Sequence, residues 1–257
     1  MLLKLLKHCK TVVSQPLKGN GISMISNHPF FYRLFGYEAQ RKRAWARAPK
    51  GALKDFLSIE FPDPNTPLSD IDILSVDFET TGLHAINDKL LSVGFIGIKQ
   101  QQISLKDSYH QIIKTKDELS ADNVIIHQIT DQQKEQGAPL KEVVEALLKA
   151  LAGKVMLVHF ARIERQFLQQ ACLELYGVAP VFPMIDTLMI AKRQLDKKDV
   201  AYDPSDLRLS ALRYQHGLPN HFAHNALNDA IATAELLMVQ VSNMPNNNTL
   251  KLNDLLL

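Results

Sequence analysis

The sequence lacks several features that would assign a protein to a class at once. It contains 2 cysteines in 257 residues, Cys9 and Cys172, which excludes a disulfide framework and a zinc site built from paired cysteines. No apolar run reaches the roughly 18 residues of a transmembrane helix, so we expect no membrane span. The scarcity of cysteine is typical of a reduced compartment, and we expect a cytoplasmic protein.

The apolar first 13 residues lack the uninterrupted run of roughly 7–15 residues that a signal peptide needs, because Lys4, Lys7 and Lys10 interrupt them. Lysines at every third position predict a short amphipathic helix. We expect this helix to pack on its own domain. A helix lying on a membrane surface is the alternative.

The chain also lacks an excess of one charge, since 29 basic and 27 acidic residues leave a formal net charge of +2. Any contact with nucleic acid must therefore come from a local basic cluster. One such cluster surrounds Trp45 and contains Arg41, Lys42, Arg43, Arg47, Lys50 and Lys54. Cations around an aromatic ring can hold a nucleic-acid backbone and stack a base. The alternative is a solvated helix face whose tryptophan packs inward.

Periodicity and composition divide the chain into three parts. Residues 1–68 are predicted to be a helical extension that ends in a linker, because three prolines stand within residues 61–67. Residues 69–242 are predicted to form the main domain. Residues 243–257 are a tail that either folds back on the domain or docks on a partner, and we expect the fold-back.

Within the main domain, segments of strand length alternate with segments of helical spacing, which predicts a mixed α/β fold. A short polar connection between the second and third strands predicts a hairpin. The predicted strands are Ile71–Phe78, Lys89–Lys99, Ile103–Ile113, Lys154–His159 and Val181–Asp186. The predicted helices include Leu140–Leu151, Thr187–Leu195, Leu207–Tyr214 and Asn225–Val241, and one that follows His159.

The first predicted strand ends in two acidic residues, Asp77 and Glu79. Side chains alternate along a strand, so both carboxylates point to one face, about 6.6 Å apart along it. Adjacent carboxylates repel and are costly to desolvate, and no Lys or Arg lies within the segment. A divalent cation such as Mg²⁺ would compensate them. The alternative is a pair of exposed acids at a strand end.

Two later segments carry further candidates. His224 precedes Asp229 by five positions, which is about 140° apart on a helix, so the two converge only if His224 lies on the loop that enters the helix. Glu164 follows the fourth predicted strand, near the carboxyl edge where α/β sheets gather ligands. The alternatives are a loop histidine with a solvated aspartate, and a surface glutamate.

Taken in order, these segments resemble the three motifs of the DnaQ-like, DEDD-type 3′–5′ exonucleases, the superfamily of the proofreading epsilon subunit of bacterial DNA polymerase III. The sequence DFETTGL at 77–83 is similar to the first motif, and His224-x4-Asp229 resembles the third motif of the histidine subgroup. The second motif departs from the family, since Glu164 stands where an aspartate is usual. The resemblance implies a ribonuclease H-like fold, a mixed β-sheet flanked by helices.

The resemblance also implies a chemistry and residue roles. It implies 3′–5′ hydrolysis of DNA that releases nucleoside 5′-monophosphates, with two divalent ions, Mg²⁺ or Mn²⁺. Asp77, Glu79, Asp229 and Glu164 would hold the metal, and His224 would be the general base. Residues expected to contact substrate are Phe78, Thr80, Thr81, Leu83 and His127.

The expected partners are single-stranded or frayed DNA 3′ ends, with a DNA polymerase as a further candidate, and no membrane. Two alternatives stay open at this point. One is an exoribonuclease of the same superfamily, because no motif here reads a 2′-hydroxyl. The other is a catalytically silent interaction module that keeps the fold.

Overall fold

The computed structural model describes residues 29–115, 131–199 and 201–257. The amphipathic helix expected at the start of the chain and the substrate contact expected of His127 lie outside these residues. Within them, no helix is both long enough and apolar enough to cross a bilayer.

A five-stranded mixed sheet forms the centre of the molecule, as the sequence predicts. Its strands lie in the order β3-β2-β1-β4-β5. β2 runs antiparallel to both of its neighbours, β1 and β3, whereas β1, β4 and β5 run parallel to one another. The strands are β1 Ile73–Thr80, β2 Leu90–Lys99, β3 Gln102–Ile112, β4 Val155–Val158 and β5 Met184–Asp186.

The predicted hairpin joins β2 to β3. Lys99 pairs with Gln102, so the turn has two residues, Gln100 and Gln101. Both have positive φ, 49° and 58°, as a two-residue turn that matches the twist of its strands requires.

Nine α-helices occur in the described ranges, and they cover both faces of the sheet. Residues of α4 and α5 share a buried core with Leu74, Val76 and Phe78 of β1, while α8 packs against the opposite face. The helices are α1 Pro29–Arg47, α2 Ala52–Ser58, α3 Asp131–Glu135, α4 Leu140–Leu151, α5 Arg162–Tyr176, α6 Thr187–Lys198, α7 Leu209–Gln215, α8 Ala226–Ser242 and α9 Leu252–Leu255. Short 3-10 turns cover Leu68–Asp70, Pro204–Leu207 and Asn247–Thr249.

The start of α8 lies directly on the sheet. A Cβ placed on Gly94 of β2 would lie 2.2 Å from backbone atoms of Ala226 and Leu227, so only glycine permits this approach. On the neighbouring strand, Ser75 Oγ donates a hydrogen bond of 2.7 Å to the Ala230 carbonyl. Because Asp77 pairs with Gly94, these contacts bring the first turns of α8 over the acidic part of β1.

The proline-rich segment at 61–67 is not a free linker, which corrects the sequence-based expectation. The tail folds back beside it, so that Leu252 N–H donates to the Thr66 carbonyl and Pro67 bridges to Lys251. Leu256 then bridges to Ile185 on β5. The expected fold-back of the tail is therefore observed, and it fixes the segment that looked like a linker.

Candidate active site

Three predicted residues meet where α8 crosses β1. Alternation places Asp77 and Glu79 on the face of β1 that α8 covers, and the close approach at Gly94 brings Asp229 above them. One carboxylate oxygen from each of the three lies within 4.8 Å of the others. The alternative of exposed, separate acids is therefore wrong for this trio.

Glu164 enters from the other side of the carboxyl edge, on the first turn of α5. It is 4 % exposed, so the surface alternative for this residue is wrong. It is not one of the three acids that lie within 4.8 Å, although its charge acts on that of Asp77. The structure therefore places Glu164 near the three acids, close enough for its charge to act on Asp77, but not within 4.8 Å of all of them.

The loop between β4 and α5 is held in place by Asp186. Its Oδ1 accepts from the Phe160 N–H at 3.0 Å and from the Leu188 N–H at 2.9 Å, and its Oδ2 accepts from the Ala161 N–H at 2.9 Å. Phe160 has φ of 75°, an unfavourable conformation for a non-glycine residue, which these bonds compensate. Asp186 thus positions the turn from which α5 begins, and with it Glu164 on the first turn of that helix.

Burial and mutual repulsion act on the acids of the cluster. The pKa of Asp77 lies well above its usual value because of desolvation and then the charges of Glu79, Asp229 and Glu164. Desolvation also raises the pKa of Glu164 well above the ordinary value, with Asp186 and Glu79 adding to the effect. The pKa of Asp229 is raised by desolvation and by Glu79. The cluster is therefore unfavourable as a set of bare anions.

The donor set fits a divalent cation. The ligands offered are carboxylate oxygens, which Mg²⁺ and Mn²⁺ prefer. Glu164 Oε2 is buried and accepts no hydrogen bond from the described part of the chain. Buried carboxylate oxygens normally have a partner, so an unpartnered one is available to a metal ion or its water. A cation would also relieve the repulsion that raises these pKa values. Asp77, Glu79 and Asp229, with Glu164 beside them, are the residues that could hold it.

His224 lies on the loop that enters α8, as convergence with Asp229 requires. Asn225 caps the helix by accepting from the Asn228 N–H at 3.1 Å. His224 has φ of 66°, and its backbone N–H donates to Asp229 Oδ2 at 2.8 Å. Its side chain is exposed, next to the acidic cluster. The backbone of this exposed histidine is thus held beside Asp229.

A second histidine at the site was missed by the sequence analysis. His221 Nε2 lies 2.8 Å from Asp229 Oδ1, and both side chains are nearly buried. Asp229 is therefore held from two sides, by the His221 imidazole and by the His224 backbone. The signal was weak, because His221 is a loop residue with no periodic relation to Asp229.

His159 has a structural role on the neighbouring strand end. Its Nε2 lies 3.1 Å from the Leu207 carbonyl, which can only accept, so Nε2 carries the proton. Nδ1 of the neutral ring then accepts from the Thr187 hydroxyl at 2.8 Å. Burial lowers the pKa of His159, and this favours the neutral form.

The predicted substrate-contacting residues fall into different environments. Phe78 packs in the core on the sheet face opposite Asp77, so its side chain is not brought to the site. Thr80 Oγ1 donates to the Gly82 carbonyl at 2.6 Å, and Thr81 Oγ1 accepts from the Lys89 N–H at 2.9 Å. Both hydroxyls therefore hold the loop after β1. Leu83 is half-buried on the same loop.

The chain matches the RNase_T exonuclease family model over residues 74–237, which is more than half its length. It therefore belongs to this exonuclease family. Within the family it is a DnaQ-like 3′–5′ exonuclease of the DEDDh type, as the three motifs and the mixed sheet indicate. The resemblance inferred from the motifs is thereby confirmed.

Curated relatives align with the same region. The PolC-type DNA polymerase III of Thermotoga petrophila is 30 % identical over 180 residues, which are 70 % of this chain and 12 % of that protein. The 3′-5′ exonuclease DinG of Staphylococcus saprophyticus is 26 % identical over 166 residues, 64 % of this chain and 17 % of that protein. The chain thus spans less than a fifth of the length of either relative.

Solved structures share the fold at low identity. The nuclease domain of 3′hExo, described as a DEDDh family member bound to rAMP, has a TM-score of 0.58 and 16 % identity, and the match covers 72 % of this chain and 98 % of that one. The E. coli exonuclease I complex with single-stranded DNA has a TM-score of 0.56 and 16 % identity, covering 69 % and 42 %. These likenesses confirm the ribonuclease H-like architecture.

Proposed function

We propose that this chain is a divalent-metal-dependent exonuclease that shortens DNA from the 3′ end and releases nucleoside 5′-monophosphates. The observation that carries the proposal is the meeting of Asp77, Glu79 and Asp229 within 4.8 Å, with buried Glu164 beside them. Four converging carboxylates are costly in a folded protein unless a cation compensates them. A catalytically silent module would gain nothing from four unfavourable carboxylates at one place, so the cluster supports the enzyme over that alternative.

Asp77, Glu79 and Asp229 would hold the metal, with Glu164 assisting from α5. Bound divalent ions supply charge stabilisation for the attacking and leaving oxygens and make water more acidic. We assign Mg²⁺ or Mn²⁺ on the basis of the all-oxygen donor set.

His224 is the general base in this proposal. Its imidazole accepts a proton from the water that attacks the phosphorus of the terminal nucleotide, and an imidazole is suited to this task near neutral pH. The bond from phosphorus to the 3′ oxygen of the preceding nucleotide breaks, and that oxygen takes up a proton. The backbone N–H bond from His224 to Asp229 keeps the base beside the acids.

The loop after β1 would seat the terminal nucleotide. The hydroxyls of Thr80 and Thr81 are engaged within the loop, so we assign them to shaping it and Leu83 to contact with the nucleotide. Seating the nucleotide in a preformed loop places the scissile phosphate beside the acids.

DNA is the proposed substrate because the PolC-type relatives are DNA polymerases and the E. coli exonuclease I neighbour was solved with single-stranded DNA. We propose single-stranded or frayed 3′ ends, as for an epsilon-like enzyme, with a DNA polymerase as a candidate partner. RNA is the alternative substrate, since the 3′hExo neighbour contains rAMP.

The test uses matched DNA and RNA strands of one sequence, labelled at the 5′ end, with Mg²⁺, with Mn²⁺ or with EDTA. We expect a ladder that shortens from the 3′ end, nucleoside 5′-monophosphate as the product, faster cleavage of DNA and none in EDTA. Asp229→Ala should abolish cleavage while its circular dichroism spectrum stays native. Normal cleavage by this variant would contradict the site assignment, and faster cleavage of RNA would transfer the substrate assignment to RNA.

A further inference from the structure

A large apolar side chain stands in solvent on the loop that enters α8. Phe222 is 87 % exposed, more than any other large hydrophobic residue whose side chain the structure describes. Phenylalanine is among the residues most often found buried, and here its ring packs against almost nothing of its own protein. Single exposed hydrophobic residues are ordinary on protein surfaces, so the position of this one decides whether it has a role.

The loop carries Phe222 directly beside the acidic cluster. His221, one residue before it, places Nε2 2.8 Å from Asp229 Oδ1. His224, two residues after it, donates its backbone N–H to Asp229 Oδ2 at 2.8 Å. Consecutive Cα atoms lie about 3.8 Å apart, so Phe222 is separated by at most about 8 Å of chain from the two residues that bind Asp229. The exposed ring therefore stands at the edge of the proposed metal site.

The same loop is fixed at its start by a buried arginine. Arg213 of α7 is 2 % exposed, and its Nη2 donates to the Pro219 carbonyl at 2.9 Å. Its Nη1 donates to the Ala232 carbonyl of α8 at 2.8 Å and lies 2.7 Å from Glu235 Oε2. The loop is thus held at its start by Arg213 and further along by the contacts with Asp229. A ring presented on a loop that is already ordered loses less conformational freedom when it binds a ligand.

We propose that Phe222 stacks on a base of the nucleic-acid strand whose 3′ end lies in the active site. The inference deepens the proposed function and rests on it, because that function supplies the strand. Aromatic side chains stack on the bases of single strands with little regard for sequence, since every base has a π-face. The stacked base belongs to one of the last few nucleotides, because the ring is attached so close to Asp229.

The position of the ring favours a strand over a protein partner. A strand whose scissile phosphate lies at the acids reaches the loop with its neighbouring nucleotides. A protein seated on Phe222 would also lie over His224, which is exposed and is the general base of the proposed reaction. Such a partner would close the site to its substrate, whereas a stacked base helps to hold the substrate there.

Kinetics with single variants test the contact. With a 20-nucleotide oligo(dT), Phe222→Ala should raise KM about tenfold and leave kcat within about twofold, because stacking holds substrate and transition state alike. Phe222→Leu, which is apolar but has no ring, should behave in the same way. Phe222→Trp keeps a stacking ring and should retain the wild-type KM within about twofold. A wild-type KM in Phe222→Ala would overturn the proposal and leave the exposed ring to a protein partner.

The matched control removes an exposed apolar side chain at the other end of the sheet. Leu105 of β3 is 69 % exposed. Its neighbour Ser104 pairs with Gly97, which pairs with Leu74 near the amino end of β1. Leu105→Ala should leave both KM and kcat unchanged. Equal increases of KM in Leu105→Ala and Phe222→Ala would overturn the proposal, because they would indicate a general effect of losing exposed apolar surface.

Substrates that lack one base locate the contact. Four oligonucleotides each carry a single abasic nucleotide, at one of the last four positions before the 3′ end. At one of these positions, loss of the base should raise the wild-type KM and abolish the difference between the wild-type protein and Phe222→Ala. A difference that persists at all four positions would overturn the stacking, because damage to the loop itself would not depend on one base.

A binding measurement separates this proposal from the proposed function. Trp45 is the one tryptophan of the sequence, so a protein with Trp45→Phe and Phe222→Trp carries its single indole on the loop. Its fluorescence is followed in EDTA, which prevents hydrolysis, and we expect quenching by the oligo(dT) but not by an abasic strand of equal length. This quenching in a protein that cleaves neither DNA nor RNA would contradict the proposed function and support the stacking. Cleavage without quenching would overturn the stacking and leave the exonuclease assignment intact.

Discussion

Two strand ends on one edge of the sheet place buried carboxylates in opposite situations. At the end of β5, the oxygens of Asp186 accept three backbone N–H bonds from Phe160, Ala161 and Leu188. Near the end of β1, Asp77 faces other acids, and burial and their charges raise its pKa. The protein itself satisfies Asp186, whereas the compensation of Asp77 must come from outside the chain. Satisfied carboxylates of this kind support structure, and uncompensated ones indicate a ligand.

The largest effect is expected from changing the uncompensated carboxylate. Asp77→Asn keeps the shape of the side chain but removes a metal-binding charge, so Mg²⁺-dependent cleavage should fall at least ~10³-fold, or about 4 kcal/mol. Without metal, the same change removes a repelling charge and should raise the melting temperature. Asp72→Asn, an exposed change just before the same strand, is the control. Loss of fold in Asp77→Asn would contradict the comparison.

The next effect concerns the satisfied carboxylate. Asp186→Ala leaves three N–H groups of a buried turn without their acceptor, and the free energy of unfolding should fall by about 3 kcal/mol. Urea denaturation followed by circular dichroism measures this loss. A change below about 1 kcal/mol would show that water replaces the carboxylate and that Asp186 does not hold the turn.

Metal addition should separate the two regions further. A ligand at 100 times its dissociation constant stabilises the native state by about 2.7 kcal/mol. We expect Mg²⁺ to raise the melting temperature of the wild-type protein and EDTA to reverse the rise. Asp77→Asn should lose most of this increase, whereas Asp186→Ala, if folded, should retain much of it. An equal rise in the melting temperature of both variants with Mg²⁺ would show that Asp77 and Asp186 do not differ in metal binding.

The smallest effect is a pH dependence beside Asp186. The pKa of His159 is lowered below its usual 6.5 by burial, with Asp186 opposing this shift and His221 adding to it. The unfolded chain therefore binds the proton first, so the stability from neutral His159 is complete above pH ~6.5 and is lost as the pH falls below it. His159→Gln should lose less stability between pH 7 and pH 5. Parallel curves for both proteins would exclude His159 as a cause.

The shared face of Asp77 and Glu79 and the loop position of His224 could be predicted from sequence, and other features could not. Alternation along β1 places Asp77 and Glu79 on one face, and the cap at Asn225 places His224 before α8. Local patterns determine both features. The contact of His221 with Asp229 depends on the path of a loop, which no periodicity describes.

Long-range partners explain the remaining differences. The segment 61–67 resembled a linker because of its prolines, but its carbonyls accept bonds from residues near the other end of the chain. Arg41 resembled a nucleic-acid contact, but its partners come from the same helix and from α2. In each case the local sequence is compatible with either interpretation, and the structural role depends on a contact with residues that are distant in sequence.

The tail that crosses β5 has a consequence for self-association. An exposed edge strand can accept a strand from another molecule, which leads to aggregation or swapping. Leu256 bridges to Ile185, and Leu257 N–H donates to the Met184 carbonyl, so the tail occupies the outer side of β5. Leu256 and Leu257 thus occupy the backbone groups of β5 that could otherwise pair with a strand of a second molecule. A preparation clipped in this tail should therefore form oligomers through β5, while the acidic cluster of Asp77, Glu79 and Asp229 keeps its arrangement.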